Sequence, residues 1–316
     1  MANLGEMFGA SARGGETFMG LPRCRDLGRT EAGLVLIGAA GCTPYPAVGF
    51  YCAEGPQAIR AAAAAYAANL GHVNFDLGGP LLPQGCTAAD FGDLPQDPED
   101  APGNRSRIFG AVSQLLDRGV VPVLLGGDDS VPIPMLEAFG ARGRLFTVLQ
   151  IDAHIDWRDE VAGERLGLSS TMRRASEMPH VAQIIQIGQR GIGSARGQDL
   201  QDALDWGVRF VPAGEVAREG VWRAVDLIPD GAEVIITLDV DALDPALMPA
   251  VIGRTAGGLG YWQVLELVGA VAEKARIAGF DMVELMPSRD IDGQGALVAA
   301  QLLAGVIGIL ARQQGE

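Results

Sequence analysis

Several things are scarce in this chain, and each absence narrows what it can be. Its four cysteines, Cys24, Cys42, Cys52 and Cys86, form no CxxC pair, which removes the paired-thiol metal and redox motifs. They read as buried or free thiols of a reducing compartment, with a bridge between Cys42 and Cys52 left open. There is no basic run, and the net charge is −15, which argues against nucleic acid or an anionic membrane as partner. Residues 1–20 carry no apolar core of signal-peptide type, and the longest apolar stretches stop short of a membrane span. The expectation is a cytoplasmic protein. No repeat of fixed period occurs, and residues 61–65 are the sole low-complexity tract, read as helix. Histidine is scarce too: only His72, His154 and His180.

What the chain has in plenty is apolar residues (48%), glycine and aspartate. Apolar runs at 34–40, 121–125, 145–151, 183–187, 208–211 and 234–238 read as strands. Residues 73–77 are a further possible strand, and 281–285 the last one. Between them, 56–70, 106–118, a segment from about 133, 197–206, 261–278 and 296–312 read as helices. The expected fold class is therefore α/β, a three-layer α-β-α arrangement with a mostly parallel central sheet. One domain spanning 1–316 is favoured, with residues 1–32 as an N-terminal arm that clasps a neighbouring subunit or frays. Residues 79–103, rich in Pro, Gly and Asp, read as a long loop. That loop and the segment 42–55 are candidates to overhang a site.

Three acid-rich clusters follow three of the strands: Gly126-Gly127-Asp128-Asp129-Ser130, Asp152-Ala153-His154-Ile155-Asp156 and Asp239-Val240-Asp241-Ala242-Leu243-Asp244-Pro245. Strand ends of an α/β sheet converge on one crevice. Carboxylates crowded there repel one another unless a cation sits among them. In Asp152-x-His154-x-Asp156 the two-residue spacing turns all three side chains to one face of an extended chain, and Asp239-x-Asp241 repeats it. Four carboxylates and one imidazole suit Mn²⁺, Ni²⁺, Co²⁺ or Zn²⁺. The bland reading is that such aspartates only cap turns and helices; three clusters, each after a strand, speak against it.

With these motifs the chain resembles the ureohydrolase family of arginases, agmatinases and related guanidino hydrolases, whose fold is shared by the histone deacetylases. Gly55-Pro56-x-Ala58-Ile59-Arg60 and Val283-Glu284-x-x-Pro287-x-x-Asp290 extend the likeness, so that it spans roughly residues 33 to 310. The resemblance implies two divalent metal ions, Mn²⁺ or Ni²⁺. It implies Asp152 and Asp239 as bridging ligands, Asp129 and Asp156 completing metal A, and His154 and Asp241 completing metal B. Asp156 and Glu284 are the implied catalytic residues, with Glu284 also accepting hydrogen bonds from a substrate guanidinium. It further implies a homo-trimer or homo-hexamer.

Two departures qualify that picture. Relatives carry histidine where this chain has Asp129, so either a shorter, charged ligand serves metal A or that ion is lost. Relatives also place a His-Gly pair before a segment like 172–175; here residues 167–172 hold no histidine. Leaving-group protonation then falls to water, Ser169, Ser170 or the substrate, while His180 is expected to pack or cap. Trp157 follows Asp156 where arginases carry small polar residues. It either narrows the pocket and contacts substrate or packs into the sheet. The expected function is a metal-dependent amidinohydrolase releasing urea from guanidine, an alkylguanidine, a biguanide or an agmatine-like compound. The alternative is a weakly catalytic or non-catalytic subunit supporting an active homologue in a hetero-oligomer.

Overall fold

The computed structural model describes residues 17–314. Eight strands form one sheet: β1 (Leu34–Ala39), β2 (Ala88–Asp93), β3 (Val121–Gly126), β4 (Phe146–Ile151), β5 (Val181–Ile187), β6 (Arg209–Val211), β7 (Glu233–Asp239) and β8 (Arg276–Val283). Their spatial order is β2-β1-β3-β8-β7-β4-β5-β6, and every pairing is parallel. β1, β3 and β4 are buried along their whole length, as parallel strands covered on both faces must be.

Alternate residues of each strand feed opposite layers. Leu36, Val123, Leu149 and Ile236 face one core, with helices α1 (Gly55–Ala63), α6 (Ala213–Glu219), α7 (Trp222–Leu227), α8 (Tyr261–Lys274) and α9 (Gln294–Gln313). Leu124, Val148 and Ile235 face the other, with α2 (Ala101–Asp117), α3 (Pro132–Phe139), α4 (Thr171–Ser176) and α5 (Gly197–Trp206). The expected three-layer α/β fold is observed, and its sheet is wholly parallel. Helix α9 is long and apolar enough to cross a bilayer, contrary to the reading of the longest apolar stretches. Here most of its surface is buried against the sheet, α1 and α8.

Other differences from the sequence reading have physical causes. Residues 73–77 form no strand; they carry one bridge, Asn74 to Gly79, and leave Val73 and Phe75 exposed. The supposed loop 79–103 contains edge strand β2 and the first turn of α2. β2 carries Asp90 and Asp93, which no apolar pattern would mark as strand. It is held by buried Arg60, whose Nε and Nη2 donate to Asp90 at 2.8 and 3.0 Å and whose Nη1 pairs with Asp93. No residue of that segment lines the acid-rich cleft. Helix α8 stops at Lys274 rather than 278, and the last strand starts at Arg276 rather than 281. A short apolar run such as 277–280 reads equally as helix or buried strand. Gly279 fits there because an added Cβ would lie 2.7 Å from the ring of Phe139, so α3 can press on β8. Phe18 and Leu21, in the segment read as an arm, are buried in the chain's own core, and residues 1–16 lie outside the described ones.

Candidate metal centre

β4 leads outward to β5, while its neighbour β7 leads the opposite way to β8. Neighbouring strands whose connections diverge leave a crevice at their carboxyl ends. The four strands that deliver the acid clusters and Glu284, β3, β8, β7 and β4, are consecutive in the sheet. Their ends line a cleft of about 260 Å³ that includes Asp129, His154, Asp156, Asp239, Asp241 and Glu284. Asp152 lies fully buried at its floor.

Two triads offer converging ligand atoms, each within 4.8 Å of the others. One is Asp152, His154 and Asp241; the other is Asp129, Asp152 and Asp156. They share Asp152. His154 Nδ1 lies 3.3 Å from Asp152 Oδ1 and 3.1 Å from Asp241 Oδ2. Asp239 belongs to neither triad by that measure. It closes the cleft from β7, and its Oδ1 accepts from the Asp241 amide at 2.7 Å.

The backbone explains how these residues meet. Asp156 (φ 43°) and Glu284 (φ 70°) both sit in the left-handed region, which costs a non-glycine residue roughly 1–3 kcal/mol. Each is held there: the Asp156 carbonyl accepts from Met172 and Arg173 at the start of α4, and the Glu284 amide donates to Gly127. Gly127 itself admits no side chain, since a Cβ would lie 2.0 Å from the Ala40 carbonyl oxygen. Gln150, buried in β4, donates to both Asp152 Oδ2 and Asp156 Oδ2 at 2.7 Å. Arg190 ties down the loop after β7 by donating to the carbonyls of Asp241, Ala242 and Leu243. Sequence reading missed all three supports (the left-handed turns, Gln150 and Arg190). A glutamine inside an otherwise apolar strand was the one available signal.

Electrostatics show what the centre lacks. Burial first, and then the charges of Asp156, Asp152 and Glu284, push Asp129 well above the usual carboxylate range. Asp156 and Asp239 are raised the same way, by burial and then by neighbouring carboxylates. Burial pushes His154 down, but hydrogen bonds and charge from Asp152 and Asp241 outweigh it and lift the imidazole to about 12. Burial raises Glu284 to about 8, against the opposing hydrogen bond from Tyr51. The cluster therefore needs cations or protons to stand. Both carboxylate oxygens of Asp129 are buried with no hydrogen-bond partner among the described residues. An orphaned carboxylate facing two others is what a cation ligand looks like without its ion, so the donor set fits a divalent metal pair.

Not every motif residue belongs to this chemistry. Asp128 accepts from the Ser130 amide, Asp244 from the amides of Ala246 and Gly257, and Asp290 from those of Gly295 and Ala296. They are turn and helix-start residues. Trp157 lines the cleft but is 2% exposed, packed edge-to-face on Trp206 with centroids 6.3 Å apart. Ser169 and Leu168 line the cleft, whereas Ser170 is buried beside it. His180 packs on Phe146 and pairs with the Leu136 carbonyl, far from the clusters in the fold. The four cysteines are free. Of the two segments expected to overhang the site, 42–55 does so through Tyr51, whose hydroxyl contacts Glu284.

Comparison with known proteins agrees with this construction. The arginase family model matches residues 49–308. The mitochondrial agmatinase of Gallus gallus is 31% identical over 265 residues, covering 81% of this chain and 75% of that protein. The guanidinopropionase of Pseudomonas aeruginosa is 29% identical, covering 93% of this chain and 91% of its own length. The solved structure of proclavaminate amidino hydrolase from Streptomyces clavuligerus superposes with a TM-score of 0.77 at 29% identity, covering 94% of this chain and 97% of that one. The chain belongs to the arginase family, in its agmatinase-like ureohydrolase branch, and is a hydrolase of C–N bonds in guanidino compounds.

Proposed function

We propose that this protein is a metal-dependent amidinohydrolase that cleaves a small guanidino compound to urea and an amine or ammonia. The observation that carries the reading is the pair of carboxylate-rich triads sharing Asp152, with Glu284 on the wall of the same cleft. Asp129, Asp152 and Asp156 would hold one Mn²⁺ or Ni²⁺, and Asp152, His154 and Asp241 the other, with Asp239 completing both. When bound, such ions supply Lewis acidity that makes water a competent nucleophile near neutral pH.

The chain's own residues do the rest. Glu284 accepts N–H bonds from the planar cation, a charge-assisted pairing that orients the central carbon. Asp156, held in its left-handed turn and by Gln150, fixes one side of the reaction centre. Ser169 and Ser194, on the same wall, are hydroxyls available to relay a proton to the departing amine. Arg158, with the edge of the buried Trp157, lines the wall beside Asp156, a cationic and bulky boundary that supports guanidine, alkylguanidines, biguanides or agmatine-like compounds over arginine as the substrate class. We further propose one domain over 1–316 with residues 1–32 as its N-terminal segment, a homo-trimer or homo-hexamer, and a cytoplasmic location.

Urea release by the purified, metal-loaded chain tests the reading. The panel comprises guanidine, methylguanidine, a biguanide, guanidinobutyrate, guanidinopropionate, agmatine and arginine. Activity on a small or substituted guanidine, lost in Glu284→Gln with metal retained, is the expected result. Arginine as the best substrate, or no urea from any compound, would contradict it.

A further inference from the structure

Glu284 is not free in this structure. The Tyr51 hydroxyl donates to both of its carboxylate oxygens, at 2.7 Å to Oε1 and 2.6 Å to Oε2. A donor nearly equidistant from the two oxygens sits astride the carboxylate, on the face where a guanidinium fork would place its two parallel N–H bonds. The carboxylate does not depend on Tyr51 for its orientation. The Asp129 amide donates to Oε1 at 2.8 Å, and the Glu284 amide is bonded to the Gly127 carbonyl. The phenol is therefore an occupant of the seat rather than its support.

We propose that Tyr51 competes with substrate for Glu284, so that a guanidinium binds only by expelling the phenol. This rests on the reading of Glu284 as the guanidinium acceptor. Tyr51 is half-buried, with solvent on one side, and Gly49 two residues before it has φ 61° and no atom within 4 Å of an added Cβ. Tyr51 itself lines the open cleft, so the ring borders free space on that side. Cys52, fully buried behind it, anchors the following residue. Tyr51 makes the affinity of the site a difference between two donors for one carboxylate. Only the fraction of molecules with the phenol displaced is competent to bind.

Tyr51→Phe keeps the ring and removes the competing donor. Titration calorimetry with guanidinium chloride at sub-denaturing concentration, on the metal-loaded chain, should show it binding at least about tenfold tighter than the unaltered protein, the scale of a hydrogen bond to a charged group. In urea release, KM should fall by more than kcat changes, the mark of a removed ground-state competitor. Glu284→Gln should abolish guanidinium binding in either background. Unchanged or weaker binding by Tyr51→Phe, with Glu284→Gln still abolishing it, would overturn the competition and leave the role of Glu284 intact. Full guanidinium binding by Glu284→Gln would remove both.

Discussion

Two sets of buried aspartates lie in this fold, and they are neutralised in opposite ways. At the β2 edge, Asp90 is fully buried yet satisfied: Arg60 pairs with both its oxygens, and the amides of Phe18 and Gly92 donate to it at 2.7 and 2.8 Å. At the ends of β3, β4 and β7, the acids face one another, and among the described residues His154 is the basic side chain that pairs with their carboxylates. The chain supplies its own cation in the first case; in the proposed reading, the second is left to ions from solution. A buried acid that carries its partner with it is structural; a buried cluster without one is a binding site.

Breaking the structural pair should give the larger effect on stability. Arg60→Met fills a similar volume but leaves Asp90 buried without its partner, so we expect a loss of about 3–5 kcal/mol, read by denaturant unfolding. Metal uptake by the folded fraction should persist. Asp129→Asn, by contrast, removes a charge from an uncompensated cluster, so the metal-free chain should be no less stable than before. If Arg60→Met is neutral and Asp129→Asn destabilising, the comparison is inverted and the distinction fails.

A smaller effect sharpens the same contrast through pH. In the metal-free chain, burial raises Glu284 from 4.5 to about 8 and Asp281 from 3.8 to about 8, the latter against the bond from Thr237. The folded state therefore holds protons that the unfolded state releases. The stability this contributes is complete below the ordinary carboxylate values and is lost as pH rises through about 8. The denaturation midpoint of the metal-free chain should fall across that window, and saturating Mn²⁺ or Ni²⁺ should flatten the fall by replacing protons with ions. A midpoint that rises across the window would contradict the assignment.

The acid clusters were legible because each ligand lies within a few residues of a strand end, so local spacing alone set the face it presents. Asp152, His154 and Asp156 meet Asp129 and Asp241 because parallel strands bring their carboxyl ends together, a rule the alternation of elements already implied. Tyr51 was not legible as a partner of Glu284. The two are 233 residues apart, and nothing in the sequence between Cys42 and Gly55 marks which side chain turns inward. β2 escaped notice for a related reason: it is a strand by its pairing with β1, and its two acids are neutralised by Arg60 from another element, so tertiary partners override local propensity. The left-handed turns at Asp156 and Glu284 leave no sequence mark, since glycine would be the usual sign and neither position has it.

In the proposed reading the cluster holds two ions sharing Asp152, with Asp129 among the ligands of one. Elemental analysis of the chain after loading with Mn²⁺ or Ni²⁺ and removal of free metal tests it most directly. Nearly two ions per chain are expected for the unaltered protein, close to one for Asp129→Ala, and few or none for His154→Ala. One ion or none in the unaltered protein, or two retained in Asp129→Ala, would contradict it.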